Sequence, residues 1–390
     1  MNEDMIKTLQ QENKHRTQHP YWVWESIQMI PQMLSQCLED ETSRDIEQVV
    51  NECLKRKVNK LILVGRGSSY FAALATQPFI KKMTGLPVEC YVTNVLAAYP
   101  YTACDSQTAV FFNSHSGKSE GDVYVVDMLK KLGAYTVGVT DIRESSLTEA
   151  VDQVLMGPGG SKVELPATRT YATAIYRTLL FALALGKALG VAKDAGEFEK
   201  ALKALPAQVG AFIPAFEKQA AQVVDVLKDC TTLVIVGYGP NTPNAEEAAM
   251  AFNQSTGISS QSYEMENYIH GPMQALNKQT GMICIAPPSA LQERMFSMIT
   301  AARIIGAKTV LIVPEDAQNL PEVDRVVKMP PQIPDLISPV VYMLPLWQMG
   351  YHLGMLTQKG AHPDRLSMDK PEFKEGFSHI MKSDKWVTKK

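Results

Sequence analysis

An α/β fold of two tandem doubly wound, flavodoxin-like parallel-sheet lobes is predicted by three features of the 390-residue chain: an internal repeat, apolar runs that do not alternate, and helical patterns between them. The run LILVGRGSSY at Leu61–Tyr70 matches LVIVGYGPNT at Leu233–Thr242, an offset of 233 − 61 = 172. AVFFNSHSG from Ala109 matches MICIAPPSA from Met282, and LGAYTVGVT around Gly133 matches IGAKTVLIV around Gly306, both at 173. AVDQVLM and EVDRVVKM pair Asp152 with Asp324 at 172. Matches at so constant an offset mark a duplicated unit. Short β-branched runs separated by patterns such as EGDVYVVDMLKKLGA and QERMFSMITAARIIGA read as βαβ units whose sheet is covered on both faces.

In chain order, residues 1–54, with Trp22 and Trp24, read as an N-terminal helical arm, 55–205 as the first lobe and 206–230 as a helical connector. Residues 231–375 read as the second lobe and 376–390 as a polar tail. Thr170–Leu189 and Ile337–Leu356 are predicted to close the two halves, the latter with a kink at Pro345, which lacks an N–H and crowds the preceding turn. No low-complexity linker separates the lobes, so they are expected to pack directly.

Composition narrows the function classes. An apolar fraction of 45% and a charged fraction of 20% are those of a soluble globular chain, and no run approaches the roughly 20 apolar residues of a membrane helix. The start, MNEDMIKTLQQENKHRTQHP, lacks the basic flank and apolar core of a secretory signal. Cys37, Cys53, Cys90, Cys104, Cys230 and Cys284 show neither disulfide nor zinc spacing, so a cytoplasmic location is expected. A net charge of −3 gives no footprint for nucleic acid or anionic membrane. His15, His19, His352, His362 and His379 have no metal-ligand spacing and read as structural; neither metal nor cofactor is expected.

The chemistry is expected beyond the carboxyl ends of the strands, where Gly65–Ser69 and Ser114–Ser119 fall. Glycines and hydroxyls ahead of helical patterns offer backbone N–H groups, a helix dipole and short donors, which suits a phosphate. In the second half the corresponding GPNTPN and PPSA carry prolines and lose the hydroxyl cluster, so only the first lobe is expected to keep the cradle.

With the two serine loops and the YIHGP segment, the chain resembles the sugar isomerase (SIS) domain family over about Lys55–Lys370, most closely the isomerase half of glucosamine-6-phosphate synthase, and also the fructosamine-6-phosphate deglycases. The resemblance implies a sugar phosphate held by Gly67, Ser68, Ser69, Ser114, His115, Ser116 and Ser119, helped by Ala167 and Thr168. His115 stands where the synthases have glutamine and Lys118 where they have glutamate, which makes the pocket more basic. His270 matches the ring-opening histidine and Glu247 the supporting glutamate. Gln254 falls where the enolising glutamate is expected and Ala251 where a lysine is expected.

Gln254 has no ionisable proton at working pH and cannot be the base, though its amide can orient a water or hydroxyl. The nearest carboxylates in sequence are Glu264 and Glu266, and Glu266 would share a helical face with His270. Lys370, in DRLSMDKPEF, matches the lysine that folds over the open-chain sugar. The resemblance also implies a homodimer with shared sites, or a higher oligomer. The amidotransferase domain of the synthases begins with a nucleophilic cysteine, which Met1, Asn2 and Glu3 do not supply, so ammonia release from glutamine is not expected. Two functions remain: a phosphosugar enzyme acting on a ketose or fructosamine 6-phosphate, as deglycase or aldose–ketose isomerase, and a phosphosugar-binding sensor that has lost the chemistry. Against a repressor, no helix-turn-helix segment precedes the first lobe.

Overall fold

The computed structural model describes residues 16–100, 104–160, 165–357 and 370–383. Two five-stranded, all-parallel sheets form the frame. The first contains β1 (Lys60–Gly65), β2 (Val88–Val92), β3 (Thr108–Asn113), β4 (Tyr135–Thr140) and β5 (Gln153–Met156), in the order β2-β1-β3-β4-β5. The second contains β6 (Thr232–Gly237), β7 (Ser259–Glu264), β8 (Thr280–Ile285), β9 (Lys308–Pro314) and β10 (Arg325–Met329), in the order β10-β9-β8-β6-β7. Numbered within each half, both are the doubly wound 2-1-3-4-5 order. The central strands of both sheets are buried along almost their whole length, as their unbroken apolar runs require.

The duplication extends to single hydrogen bonds. Asp152 Oδ2 accepts from the Thr136 N–H and hydroxyl, each at 2.9 Å. Asp324 Oδ2 accepts from Thr309 in the same way, at 2.8 and 2.9 Å. Thr84 and Thr256 each bond back to a carbonyl four residues earlier, at 2.7 Å, before a glycine at positive φ ends the helix. The strand register corrects one sequence match: Leu61 pairs with Ala109 and Leu233 with Gly281, so β3 and β8 are related by 281 − 109 = 172 and not 173. On a strand buried on both faces a one-residue slip leaves the apolar pattern intact, so the pattern alone does not fix register.

Helices fill the space between the sheets. Arg169–Ala188 packs on Ser68–Thr84, and the latter meets Thr242–Thr256 of the second half. One apolar core joins Val23 and Ile27 of helix Trp22–Gln36 to Phe79, Leu179, Phe252 and Trp347. A 31-residue helix, Ala195–Asp225, carries the chain from one half to the other. The closing segment of the second half breaks into Pro339–Tyr342 and Leu344–Thr357, with the break immediately ahead of Pro345. No helix among the described residues is long and apolar enough to cross a membrane.

Candidate active site

The first lobe's cradle begins with two glycines that no other residue replaces. A Cβ on Gly65 would stand 2.7 Å from the Ser69 carbonyl carbon, so the chain turns back on itself here only without a side chain. Gly67, at φ +52°, then aims helix Ser68–Thr84 with no side-chain cap at its N-terminus. The Ser69 and Tyr70 N–H groups bond back to the Arg66 and Gly67 carbonyls at 3.1 and 2.9 Å, so what the helix start offers an anion is the positive end of its dipole and not a row of free donors.

β1 and β3 are neighbours at the reversal of strand order, so the turn at Gly67 and the loop Ser114–Ser119 face one crevice. The second loop is fastened from below. The His115 carbonyl accepts from the Thr140 hydroxyl at 3.0 Å, and the Gly117 carbonyl from the Leu147 N–H at 2.9 Å. Gly117 has φ +62°, and a Cβ there would lie 2.2 Å from Ser145 Oγ. Ser114, His115 and Ser116 are half-buried and Lys118 is exposed. Ser119 caps helix Glu120–Lys130 by accepting the Asp122 N–H, and its hydroxyl also accepts from Arg66. Arg66 thus clasps the two turns and adds a cation that the sequence reading did not single out. Thr168 is buried at the start of helix Arg169–Ala188, with half-buried Ala167 before it.

Behind His115 lies a buried charge pair. His115 Nδ1 is 3.0 Å from Asp141 Oδ2, and Arg177 Nη1 is 3.4 Å from Asp141 Oδ1. The Asp141 and Arg177 side chains are 2% and 1% exposed. Burial disfavours the Asp141 charge, but the Arg177 guanidinium and the His115 bond outweigh it and hold the carboxyl below its ordinary value. Asp141 follows β4, and Arg177 is the one cation within the apolar stretch TYATAIYRTLLFALAL. That isolated charge was the available signal in the sequence.

The second half supplies the far wall. Glu247, fully buried on helix Thr242–Thr256, accepts from the Ser68 hydroxyl at 3.1 Å and so ties the cradle helix to the other lobe. Gln254, half-buried two turns on, has its Oε1 buried without a hydrogen-bond partner among the described residues. Glu246 is a half-buried carboxyl, pushed up by burial, and its charge acts on Tyr70 and Tyr171.

The remaining sequence-predicted groups bond local partners rather than the cradle turns among the described residues. His270 follows the short helix Met265–Ile269, is 78% exposed, and lies 3.7 Å from Glu266, one turn back. Glu266 is bound by both arms of Arg294, at 2.7 and 3.2 Å, which lowers its pKa and holds it as an ion-pair member. Glu264 caps the same helix through the Asn267 N–H at 2.9 Å. Lys370 is exposed and begins helix Pro371–Ser383. His19 bonds Tyr351 and His352 bonds Glu217, each at 2.8 Å, while His15 and His362 lie outside the described residues.

A tandem doubly wound α/β protein with a hydroxyl-lined crevice at the strand ends of its first lobe is the class that this fold defines. The family model for the SIS domain matches residues 55–189, the first lobe, and the second lobe repeats the topology of the first. It is 27% identical over 312 residues to a glutamine–fructose-6-phosphate aminotransferase (isomerizing) of Pyrococcus horikoshii, covering 80% of this chain and 51% of that protein. The chain spans about half the length of the curated relatives it matches. Among solved structures it is similar in fold to the C-terminal domain of glucosamine-fructose-6-phosphate aminotransferase from Francisella tularensis, with a TM-score of 0.80 at 19% identity, covering 87% of this chain and 97% of that one. Tagatose-6-phosphate ketose/aldose isomerase from Escherichia coli follows the same fold, with a TM-score of 0.70 at 15% identity, covering 90% of this chain and 96% of that one.

Proposed function

We propose that the chain is an enzyme acting on a ketose or fructosamine 6-phosphate, by deglycase or aldose–ketose isomerase chemistry through an enolamine or enediol intermediate. The observation that carries this reading is the pairing of two glycine–serine turns at adjacent strand ends, clasped by Arg66 and facing the buried Glu247 of the other lobe. Such a crevice holds a phosphate at one end and leaves the open-chain sugar against the wall between the lobes. Its relatives' names, an isomerizing aminotransferase and a ketose/aldose isomerase, point to the same substrate class. The direct test is incubation with fructose 6-phosphate and with fructosamine 6-phosphates such as fructoselysine 6-phosphate, following glucose 6-phosphate, free amine and isomer. Turnover of either class supports the reading.

One observation favours a second reading. Gln254 occupies the place of the expected base, and a crevice without that base also suits a phosphosugar sensor. Tight binding of these sugars with no product from any of them selects the sensor.

The exposed His270 fits a site completed by a second copy of the chain. In a shared-site homodimer, His270→Ala abolishes turnover with phosphate affinity retained. Mixing it with an inactive cradle variant, Ser69→Ala/Ser116→Ala, restores activity through hybrid dimers. A monomer by light scattering, or no recovery on mixing, overturns the shared site.

A further inference from the structure

We infer that Tyr171 and Asn244 are positioning residues: the buried bond between them sets helix Thr242–Thr256 of the second lobe against the first-lobe cradle, and so governs how tightly the carbon chain of a sugar phosphate is held, but not its phosphate. This role presupposes the phosphosugar reading above. Asn244, Glu247, Met250 and Gln254 recur at three- and four-residue spacing, which puts them on one face of that helix. Three of them meet the first lobe. Asn244 Oδ1 accepts the Tyr171 hydroxyl at 2.9 Å, Glu247 accepts the Ser68 hydroxyl at 3.1 Å, and Met250 Sδ lies 4.0 Å from where a Cβ on Gly67 would stand. The fourth, Gln254, keeps its buried Oε1 without a hydrogen-bond partner among the described residues. The helix therefore lies over the cradle turn, bonded at its start and with an acceptor open two turns further on.

The first of these bonds is the more deeply set. Tyr171 is 2% exposed and Asn244 0%. Asn244 Nδ2 donates to Asn241 Oδ1 at 2.9 Å and to the Pro339 carbonyl at 3.0 Å, while Asn241 Nδ2 donates to Ser338 Oγ at 2.7 Å. With both amide protons spent in this way the Asn244 side chain has one orientation, and its oxygen faces the tyrosine. On the other side, the Tyr171 ring meets Trp347 edge-on with centroids 5.9 Å apart. Tyr171 stands in the first turn of helix Arg169–Ala188, three residues after Thr168, so the same bond links the Ala167–Thr168 loop to the opposite wall.

Two bonds one helical turn apart fix the helix's rotation over the cradle; either alone leaves it a pivot. A phosphate seated between the Gly67–Ser69 and Ser114–Ser119 turns touches neither Tyr171 nor Asn244, which are buried behind the wall. The carbon chain that it carries meets the wall that they hold, where Gln254 offers its open oxygen to a hydroxyl or an amine. Removing the tyrosine hydroxyl leaves the Asn244 oxygen buried and unpaired, which is the costly way to break such a bond.

The test is calorimetry on the full chain with two probes, inorganic phosphate and sorbitol 6-phosphate, which adds an open polyol chain to the same anion. Tyr171→Phe keeps the ring and its packing on Trp347 and removes only the hydroxyl. It is expected to weaken sorbitol 6-phosphate by about 5- to 15-fold, the cost of one buried hydrogen bond, and to leave inorganic phosphate unchanged. Asn244→Leu removes the acceptor from the other side, and the double variant is expected to lose no more than either single one. If Asn244→Leu does not fold, Tyr171→Phe alone decides. Equal losses for the two probes would mean a merely structural bond and overturn the assignment, as would unchanged affinity for both, and either result leaves the phosphosugar reading standing. A wild-type chain that binds neither probe removes that reading and this role together.

Discussion

Gly67 and Gly239 occupy the same step of the two lobes, 239 − 67 = 172 residues apart, with φ of +52° and +53°. In the first lobe Ser68 and Ser69 follow, and Arg66 before the turn reaches across to Ser119. In the second, Pro240 and Asn241 follow, and Tyr238 before the turn donates its hydroxyl to the Pro287 carbonyl at 2.5 Å. Asn241 is buried and spends its amide on Ser338 at 2.7 Å and on Asn244 at 2.9 Å. A crevice of about 790 Å³ beyond the ends of β8 and β9 is lined by Pro288, Gln292, Phe296, Pro314 and Asp316 and carries no hydroxyl cluster. The duplicated backbone therefore provides the turn in both lobes, while the side chains decide whether its donors face a ligand or the protein's own interior.

The largest expected difference between the lobes is in anion affinity. Removing two cradle hydroxyls in Ser69→Ala/Ser116→Ala takes away two hydrogen bonds to a charged group, at about 1.5–3 kcal/mol each. Glucose 6-phosphate binding by calorimetry should weaken by roughly 100-fold or more. Ser289→Ala in the second lobe should leave it unchanged, and equal losses in both would break the asymmetry. The next effect separates the two clasps. Arg66→Gln should weaken phosphosugar binding most at low salt, because a cation beside the anion is lost. Tyr238→Phe should cost about 1 kcal/mol in urea unfolding without touching affinity.

The remaining contrast is in pH-dependent stability. Burial pushes Asp335, behind the second-lobe crevice, up to about 6. Its folded form binds a proton more tightly than the unfolded chain, whose carboxyl has the ordinary value of 3.8, so this group's contribution declines as pH rises from 3.8 to about 6. Asp335→Asn should remove that decline and raise the melting temperature at pH 7 but not at pH 4. Glu217 behaves oppositely. Burial opposes its charge, but bonds from His352 and Gln348 outweigh this and lower it to about 2. Its contribution is complete above 4.5 and lost as pH falls from 4.5 to about 2, so Glu217→Gln should flatten the acid limb of stability.

Much of this contrast was legible in the sequence. Buried parallel strands carry unbroken apolar runs, so four of the five strand pairs leave a pattern, the edge pair β2 and β7 being the exception, and GRGSSY against GYGPNT states the difference in donors outright. Glu247 and the serine loops are likewise local to recognisable motifs. The Arg177–Asp141–His115 series was not legible, because its members come from a helix, a strand end and a loop that only tertiary packing brings together. The Arg66 clasp was hidden for the same reason, since its partner lies 53 residues away. The one-residue slip at β8 shows where periodicity stops being informative: with both faces buried, only hydrogen-bond register counts the residues.

The most direct test is a crystal soaked with glucose 6-phosphate. The phosphate is expected in the first lobe, between the Gly67–Ser69 and Ser114–Ser119 turns, with the turn at Gly239 empty. Density at Gly239–Asn241, or at neither turn while solution binding is tight, would contradict the division of labour between the lobes.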